Sequence, residues 1–225
     1  MDLKATLAIW KNILSHPGEA SFVEEEEKGD ANLSTAVIWM IGAALFAFII
    51  WALYIIIFDP VTQTLELMPE ALLQSGMAPE AVDEMMAQAK STFASTFYAM
   101  LILGLMSVPV FFLIGSGVLW IIARVLGGEG SYTEQTYLMA AYSAPLFILN
   151  TLFNMVPLLG PFLILAGNIY AVVLTYYALK VTHEFPSNKV MGTLVLPLTL
   201  ILLFVCCSLL LMASTMGALL GQVPQ

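Results

Sequence analysis

The sequence predicts an all-α fold: a polytopic integral membrane bundle of five transmembrane helices. Of the 225 residues, 60% are hydrophobic and only 10% are charged, whereas a soluble domain of this length carries far more charge on its surface. The mean hydropathy is +0.91. The apolar residues also form uncharged runs longer than about 18 residues, which is the length that crosses a bilayer.

The predicted membrane domain covers residues 33–216. Its five spans are 33–58, 98–126, 136–155, 158–179 and 190–216. At about 1.5 Å per residue, the first span crosses a hydrocarbon core of about 30 Å with some tilt. The short turn Val156-Pro157 makes the third and fourth spans antiparallel neighbours. A tail, 217–225, follows the last span and carries no charged side chain.

Residues 1–32 precede the first span and predict an amphipathic helix followed by an acidic linker. One stripe of the helix carries Leu3, Leu7, Trp10 and Leu14, flanked by Lys4 and Lys11. Such a helix either lies in the headgroup layer, as an interfacial helix, or packs on the bundle. From Ser21 to Asn32 the chain is acidic and contains glycine, which predicts a solvated linker.

Residues 59–97, between the first two spans, predict an extracytoplasmic helical hairpin. Pro69 and Pro79 mark two helix starts, and Ser75-Gly76 forms the turn between them. The apolar stripe of the second arm continues into the next span. We expect the hairpin to rest on the membrane surface, where it either packs against the bundle or binds a partner.

The basic residues predict the orientation in the membrane. With five spans, six of the seven Lys and Arg side chains fall on one face, and only Lys90 falls on the other. The positive-inside rule then places the N-terminus in the cytoplasm and the C-terminus outside, in the cell membrane.

Composition and spacing favour no catalytic residue, no metal and no cofactor. A net charge of −9 argues against nucleic acid as a partner. His16 and His183, with Glu184, lack ligand spacing within one element, so we interpret them as interfacial histidines. Ser116 would need a base at membrane depth to act as a nucleophile, and the predicted spans contain no His, Lys, Asp or Glu.

Three asparagines are the main polar residues at depth. Asn150 and Asn154 share a face of the third span, and Asn168 lies in the fourth span. Unpaired amides in hydrocarbon are costly, so we expect bonds across this helix pair. The alternative is a small polar binding site or permeation path lined by the same residues.

Four motifs with glycine, proline and small residues follow one another between Leu126 and Pro197. They are Leu126-Gly127-Gly128-Glu129-Gly130-Ser131-Tyr132, Ala140-Ala141-Tyr142-Ser143-Ala144-Pro145, Val156-Pro157-Leu158-Leu159-Gly160-Pro161 and Ala178-Leu179-Lys180-Val181-Thr182-His183. In order and spacing they resemble the Yip family, the membrane domain named for Ypt/Rab GTPase-interacting proteins. The motif positions are Gly127, Gly128, Gly130, Pro145, Pro157, Gly160, Pro161 and His183.

The resemblance implies a five-span domain, and in eukaryotic relatives a cytosolic N-terminal region that binds Rab GTPases. Only about 32 residues, with an acidic balance of charge, precede the first span here, as in a compact prokaryotic member, which argues against Rab binding.

We therefore predict a non-enzymatic protein that contacts itself or partner membrane proteins through its helices, in membrane organisation or trafficking-like roles. Ala140/Ala144 and Gly167/Ala171 offer contact faces, either inside the bundle or between protomers. The alternative function is a small transporter or channel with a polar path near Asn150, Asn154 and Asn168.

Overall fold

Seven principal α-helices and no β-strand occur among the described residues, which confirms the all-α class. The computed structural model describes residues 2–28, 31–58, 68–70 and 72–220, with side chains except at most positions within 90–101 and 198–220. The helices are α1 (Leu3–Ser15), α2 (Glu19–Glu27), α3 (Leu33–Phe58), α4 (Pro79–Val125), α5 (Tyr132–Phe153), α6 (Gly160–Thr182) and α7 (Ser187–Leu220).

Four helical segments in the described part of the chain are long and apolar enough to cross a membrane. They are Leu33–Phe58, Ile102–Val125, Tyr132–Phe153 and Gly160–Thr182, and they correspond to the first four predicted spans. The fifth predicted span, 190–216, falls within α7, where most side chains from 198 onward lie outside the described residues. A count of five spans therefore stays a prediction. Residues 221–225 of the predicted tail also lie outside the description.

Helix α4 joins the second arm of the predicted hairpin to the second span without a break. Its 47 residues correspond to about 70 Å, roughly twice the thickness of a hydrocarbon core. The predicted turn is present before it: Gly76 has φ of 89° and its N–H donates to the carbonyl of Leu73. Residues 59–67, which precede the first arm, and residue 71 within it lie outside the described residues.

The centre of the bundle is α5, which packs mainly against α3 and α6. Alanines allow the backbones of α3 and α5 to approach closely. The buried alanines at this contact are Ala36, Ala43, Ala140, Ala141 and Ala144. On α6, Gly167 lies against the amide of Asn150, and Ala171 packs on the same core. Both predicted small-residue faces are therefore used inside the bundle.

The C-terminal half of α1 packs on the bundle. Ile13 is fully buried, Trp10 and Leu14 contact the core, and the Tyr170 hydroxyl of α6 donates to the carbonyl of Leu14 at 2.6 Å. Leu3 and Leu7, in the first half, remain exposed. Packing is thus observed for one half, and headgroup contact stays a prediction for the other.

The acidic segment after α1 corrects a prediction. Residues 19–27 form α2 rather than a solvated linker, and Phe22 and Glu25 are buried against the bundle. The prediction of a linker was wrong because it was based on the net acidic charge of the segment. The two buried side chains lie three residues apart, on one face of a short helix.

Candidate functional site

The candidate site lies at one end of the bundle, where the loop after α4 meets the C-terminus of α6. We call it the His183 site and define it by Ser116, Gly128, Gly130, Gln135 and His183. These residues come from α4, the following loop, the first turn of α5 and the residue that caps α6.

The glycine loop begins with a Schellman motif at the end of α4. Gly127 has φ of 86°, a left-handed conformation that favours glycine. Its N–H donates to the Arg124 carbonyl, and the Gly128 N–H donates to the Ala123 carbonyl at 2.9 Å. These two bonds satisfy carbonyls that the helix end would otherwise leave unpaired. The motif turns the chain sharply back over α4.

Two side chains of α4 hold the loop in place. The Arg124 guanidinium donates to the carbonyls of Gly128 and Glu129 at 3.0 and 3.2 Å. The indole N–H of Trp120 donates to the Gly130 carbonyl at 3.1 Å. Arg124 also lies over the Trp120 ring, 5.6 Å from its centroid. The loop carbonyls thus point back at their own helix.

His183 connects the loop to the bundle through both ring nitrogens. The Gly130 N–H donates to Nδ1 at 3.1 Å, so the proton of the neutral ring is assigned to Nε2, which donates to Oε1 of Gln135 at 2.8 Å. The Gln135 amide in turn donates to the Ser116 carbonyl at 2.8 Å. The Ser116 hydroxyl pairs with Thr136 at 2.8 Å. In this series of hydrogen bonds, each polar group is the partner of the next one.

The loop and α6 approach so closely that only glycine fits at two positions. A Cβ on Gly128 would lie 2.6 Å from Nδ1 of His183 and 2.8 Å from the Phe185 ring. A Cβ on Gly130 would lie 2.0 Å from the Thr182 carbonyl oxygen. The motif glycines therefore provide clearance for the histidine and for the α6 backbone.

Burial lowers the pKa of His183 to about 4, and the nearby Arg124 cation contributes in the same direction. The Glu134 carboxylate opposes this shift. Lys189, Glu129 and Glu184 border the adjoining surface cleft. The geometry agrees with a neutral ring, because a proton on Nδ1 would face the Gly130 N–H donor.

We predict a stability loss as the pH falls from about 6.5 towards 4. The unfolded chain takes up a proton near the ordinary histidine pKa of about 6.5, whereas folded His183 takes it up near 4. Stability therefore decreases by at most about 1.4 kcal/mol per pH unit in this window. Tm measured against pH by tryptophan fluorescence in detergent provides the check.

His183→Asn should remove this pH-dependent component, since Asn keeps an acceptor for Gly130 but does not titrate. His16→Asn is the matched control and should keep it. Burial and neighbouring carboxylates raise the pKa of Glu26, which acts in the opposite direction, so the difference between wild type and variant isolates His183. Identical slopes in all three proteins would contradict the prediction.

Helix α2 is fastened to the same end of the bundle by two buried side chains. The Phe22 ring packs on Tyr142 and Tyr177, with centroid distances of 6.3 and 6.5 Å. The Glu25 carboxylate accepts from the Tyr137 hydroxyl and from Lys28, both at 2.7 Å, and this bond raises the pKa of Lys28. The N-terminal segment is therefore an integral part of this face.

The three asparagines do not form a single cluster. Asn150 and Asn168 are paired across α5 and α6, with 3.4 Å between Nδ2 and Oδ1. Asn154, the residue after α5, instead lines an apolar crevice between α3, α4 and α5. The pair has the geometry of interhelical bonding, and any role in a permeation path stays a prediction.

The remaining motif positions lie away from the His183 site. Pro145 is buried within α5. Pro157, Gly160 and Pro161 lie at the opposite end of the bundle, at the turn between α5 and α6. Gly160 permits a close approach there, since a Cβ would lie 2.3 Å from the Phe153 carbonyl oxygen.

Sequence reasoning missed Gln135 as a member of the site and Thr136 as the partner of Ser116. Both are polar residues near the start of α5 and have the composition of an ordinary helix start. Their partner Ser116 lies about 20 residues earlier, so no local spacing reveals the pairing. A polar Ser116 between two glycines inside an apolar span was the one available signal.

The architecture defines a class: an α-helical membrane bundle with a glycine-rich turn at one end. The model of the Yip1 domain family matches residues 11–209. The chain belongs to this family, which confirms the resemblance drawn from the four motifs and supports an integral membrane location. No curated protein and no solved structure matches the chain.

Proposed function

We propose that this Yip1-family protein is non-enzymatic and organises its membrane through helix contacts with itself or with partner membrane proteins. The observation that carries the proposal is a contrast within the protein. The polar groups of the His183 site are paired with one another, whereas apolar side chains on the outer helix faces are exposed. At the His183 site, the imidazole, amide and hydroxyl groups bond to one another. They leave no free base beside a nucleophile at that site.

The apolar faces, in contrast, are available for partners. Phe111 on α4 and Phe162 on α6 are 70% and 71% exposed. The small-residue seam between α3 and α5 is already occupied within the chain, so contacts with other proteins use these outer faces. Leu3 and Leu7 on α1, beside Lys4, suit the headgroup layer and would bring the N-terminal segment onto the same membrane.

We further propose five spans, with the N-terminus in the cytoplasm and the C-terminus outside, in the cell membrane. Helix α7 has 34 residues, enough for a crossing of about 30 Å. The cations Arg124, Lys180 and Lys189 lie at the end of the bundle that carries α2. Their clustering there supports the positive-inside orientation.

Cysteine cross-linking in native membranes tests the proposed contacts. With Cys206 and Cys207 replaced by serine, single cysteines replace Phe111 or Phe162, and Val190→Cys serves as a buried control. We expect reproducible covalent adducts, with a second copy or a defined membrane protein, from at least one exposed position and none from the control. A native mass of the lone monomer in mild detergent, together with no adduct at either exposed position, would contradict the proposal.

A further inference from the structure

An open crevice of about 290 Å³ lies between α3, α4 and α5, away from the His183 site. Ala47 and Trp51 line it from α3, Gly104 and Val108 from α4, and Phe147 from α5. Asn154, which directly follows α5, completes the lining. Apart from Asn154, these residues belong to candidate spans, so the crevice opens at membrane depth.

Small side chains create this space. Ala47 and Gly104 both line the crevice, at positions where larger residues would fill it. A Cβ built on Gly104 meets no atom within 4 Å. Helix α4 contains Pro109 one turn further on, and proline within a helix bends the axis. The gap is thus open space next to a glycine and not a close helix contact.

Polarity changes along the length of the crevice. Asn154 directly follows α5, whereas Phe147 lies two turns or about 10 Å deeper. The Thr151 hydroxyl is already bonded to the Phe147 carbonyl at 2.9 Å. The Asn154 side chain is exposed and has no hydrogen-bond partner among the described residues. A polar mouth with a free amide therefore leads into an apolar interior.

We propose that this crevice binds one acyl chain of a bilayer phospholipid, with the Asn154 amide donating to an ester carbonyl oxygen at the mouth. A phospholipid shows the same change of polarity along its length, from ester groups at the interface to methylene groups at depth. The volume is about twice that of an apolar cavity that holds benzene, and it lies near the lower bound of ligand sites. It suits a single chain. The site does not depend on the proposed helix contacts.

Photolabelling of the full-length protein tests this assignment. The protein is reconstituted into phosphatidylcholine vesicles that contain phosphatidylcholine with a diazirine on one acyl chain. After irradiation, we expect label enriched in segments 44–51 and 147–154 over the exposed segment around Phe162. Gly104→Leu should reduce this labelling about tenfold, because the leucine side chain occupies the space of several lipid methylene groups.

Gly115→Leu is the matched control on the same helix. Its Cβ position is also open, but Gly115 does not line the crevice, so labelling should match the wild type. Label spread evenly over all exposed helix faces would overturn the proposal, as would crevice labelling that Gly104→Leu leaves unchanged. If Gly104→Leu does not fold, as judged by its Tm, the wild-type label map alone decides between these outcomes.

Discussion

Replacement of Gly130 by alanine is expected to destabilise the folded protein by about 3 kcal/mol or more. The added methyl group would lie 2.0 Å from the Thr182 carbonyl oxygen and 2.5 Å from its Cγ2. The nearest obstacle is backbone, which cannot move aside as the end of a flexible side chain can. The loop must then separate from α6, and the bond from the Gly130 N–H to His183 is lost. Thermal unfolding in detergent, followed by tryptophan fluorescence, measures the loss.

Gly115→Ala supplies the control for this experiment. Gly115 lies within α4 and a Cβ there meets no atom within 4 Å. Alanine is favoured over glycine in a helix interior by about 0.5–1 kcal/mol, so the variant should be as stable as the wild type or slightly more stable. Similar losses of Tm in both variants would show that clearance at Gly130 is not the cause.

Replacement of Phe22 by alanine is expected to release the N-terminal segment at a cost of about 3–5 kcal/mol. The ring is fully buried between Tyr142 and Tyr177, and no other apolar side chain of α2 is buried to this extent. Without it, α2 is held mainly by polar contacts, such as those of Glu25 with Tyr137 and of Glu19 with Lys180. Limited proteolysis within α2 should become much faster, while the membrane helices remain protected.

Phe162→Ala is the control of the same residue type. Phe162 is 71% exposed on α6, so its truncation removes few protein contacts and should leave cleavage of α2 unchanged. An unchanged cleavage rate in Phe22→Ala, at the same protease concentration, would show that other contacts hold the segment.

The membrane helices could be predicted because hydropathy acts over the length of a whole span. The uncharged run that forms α3 agrees with the predicted first span at both ends. Helix α2 could not be predicted in this way, since its attachment depends on two residues in a nine-residue helix. Their burial depends on Tyr137 and Tyr142, more than 100 residues away in the chain.

The candidate site was predictable only in part, for a similar reason. The glycines at 127, 128 and 130 and His183 form recognisable motifs, so the family resemblance singled them out. Gln135 and Ser116 carry no such pattern, yet they complete the hydrogen-bonded chain from the loop to α4. Long-range pairing of single polar side chains is set by the packing of α4, α5 and α6, which local composition does not encode.

The contrast between the two ends of the bundle has a mechanical consequence. At one end, hydrogen bonds of His183, Gln135 and the glycine loop join α4, α5 and α6. At the other end, α3, α4 and α5 border a crevice lined mainly by apolar side chains. We therefore expect a change in the lateral pressure of one leaflet to deform the end with the crevice more than the end that these hydrogen bonds hold.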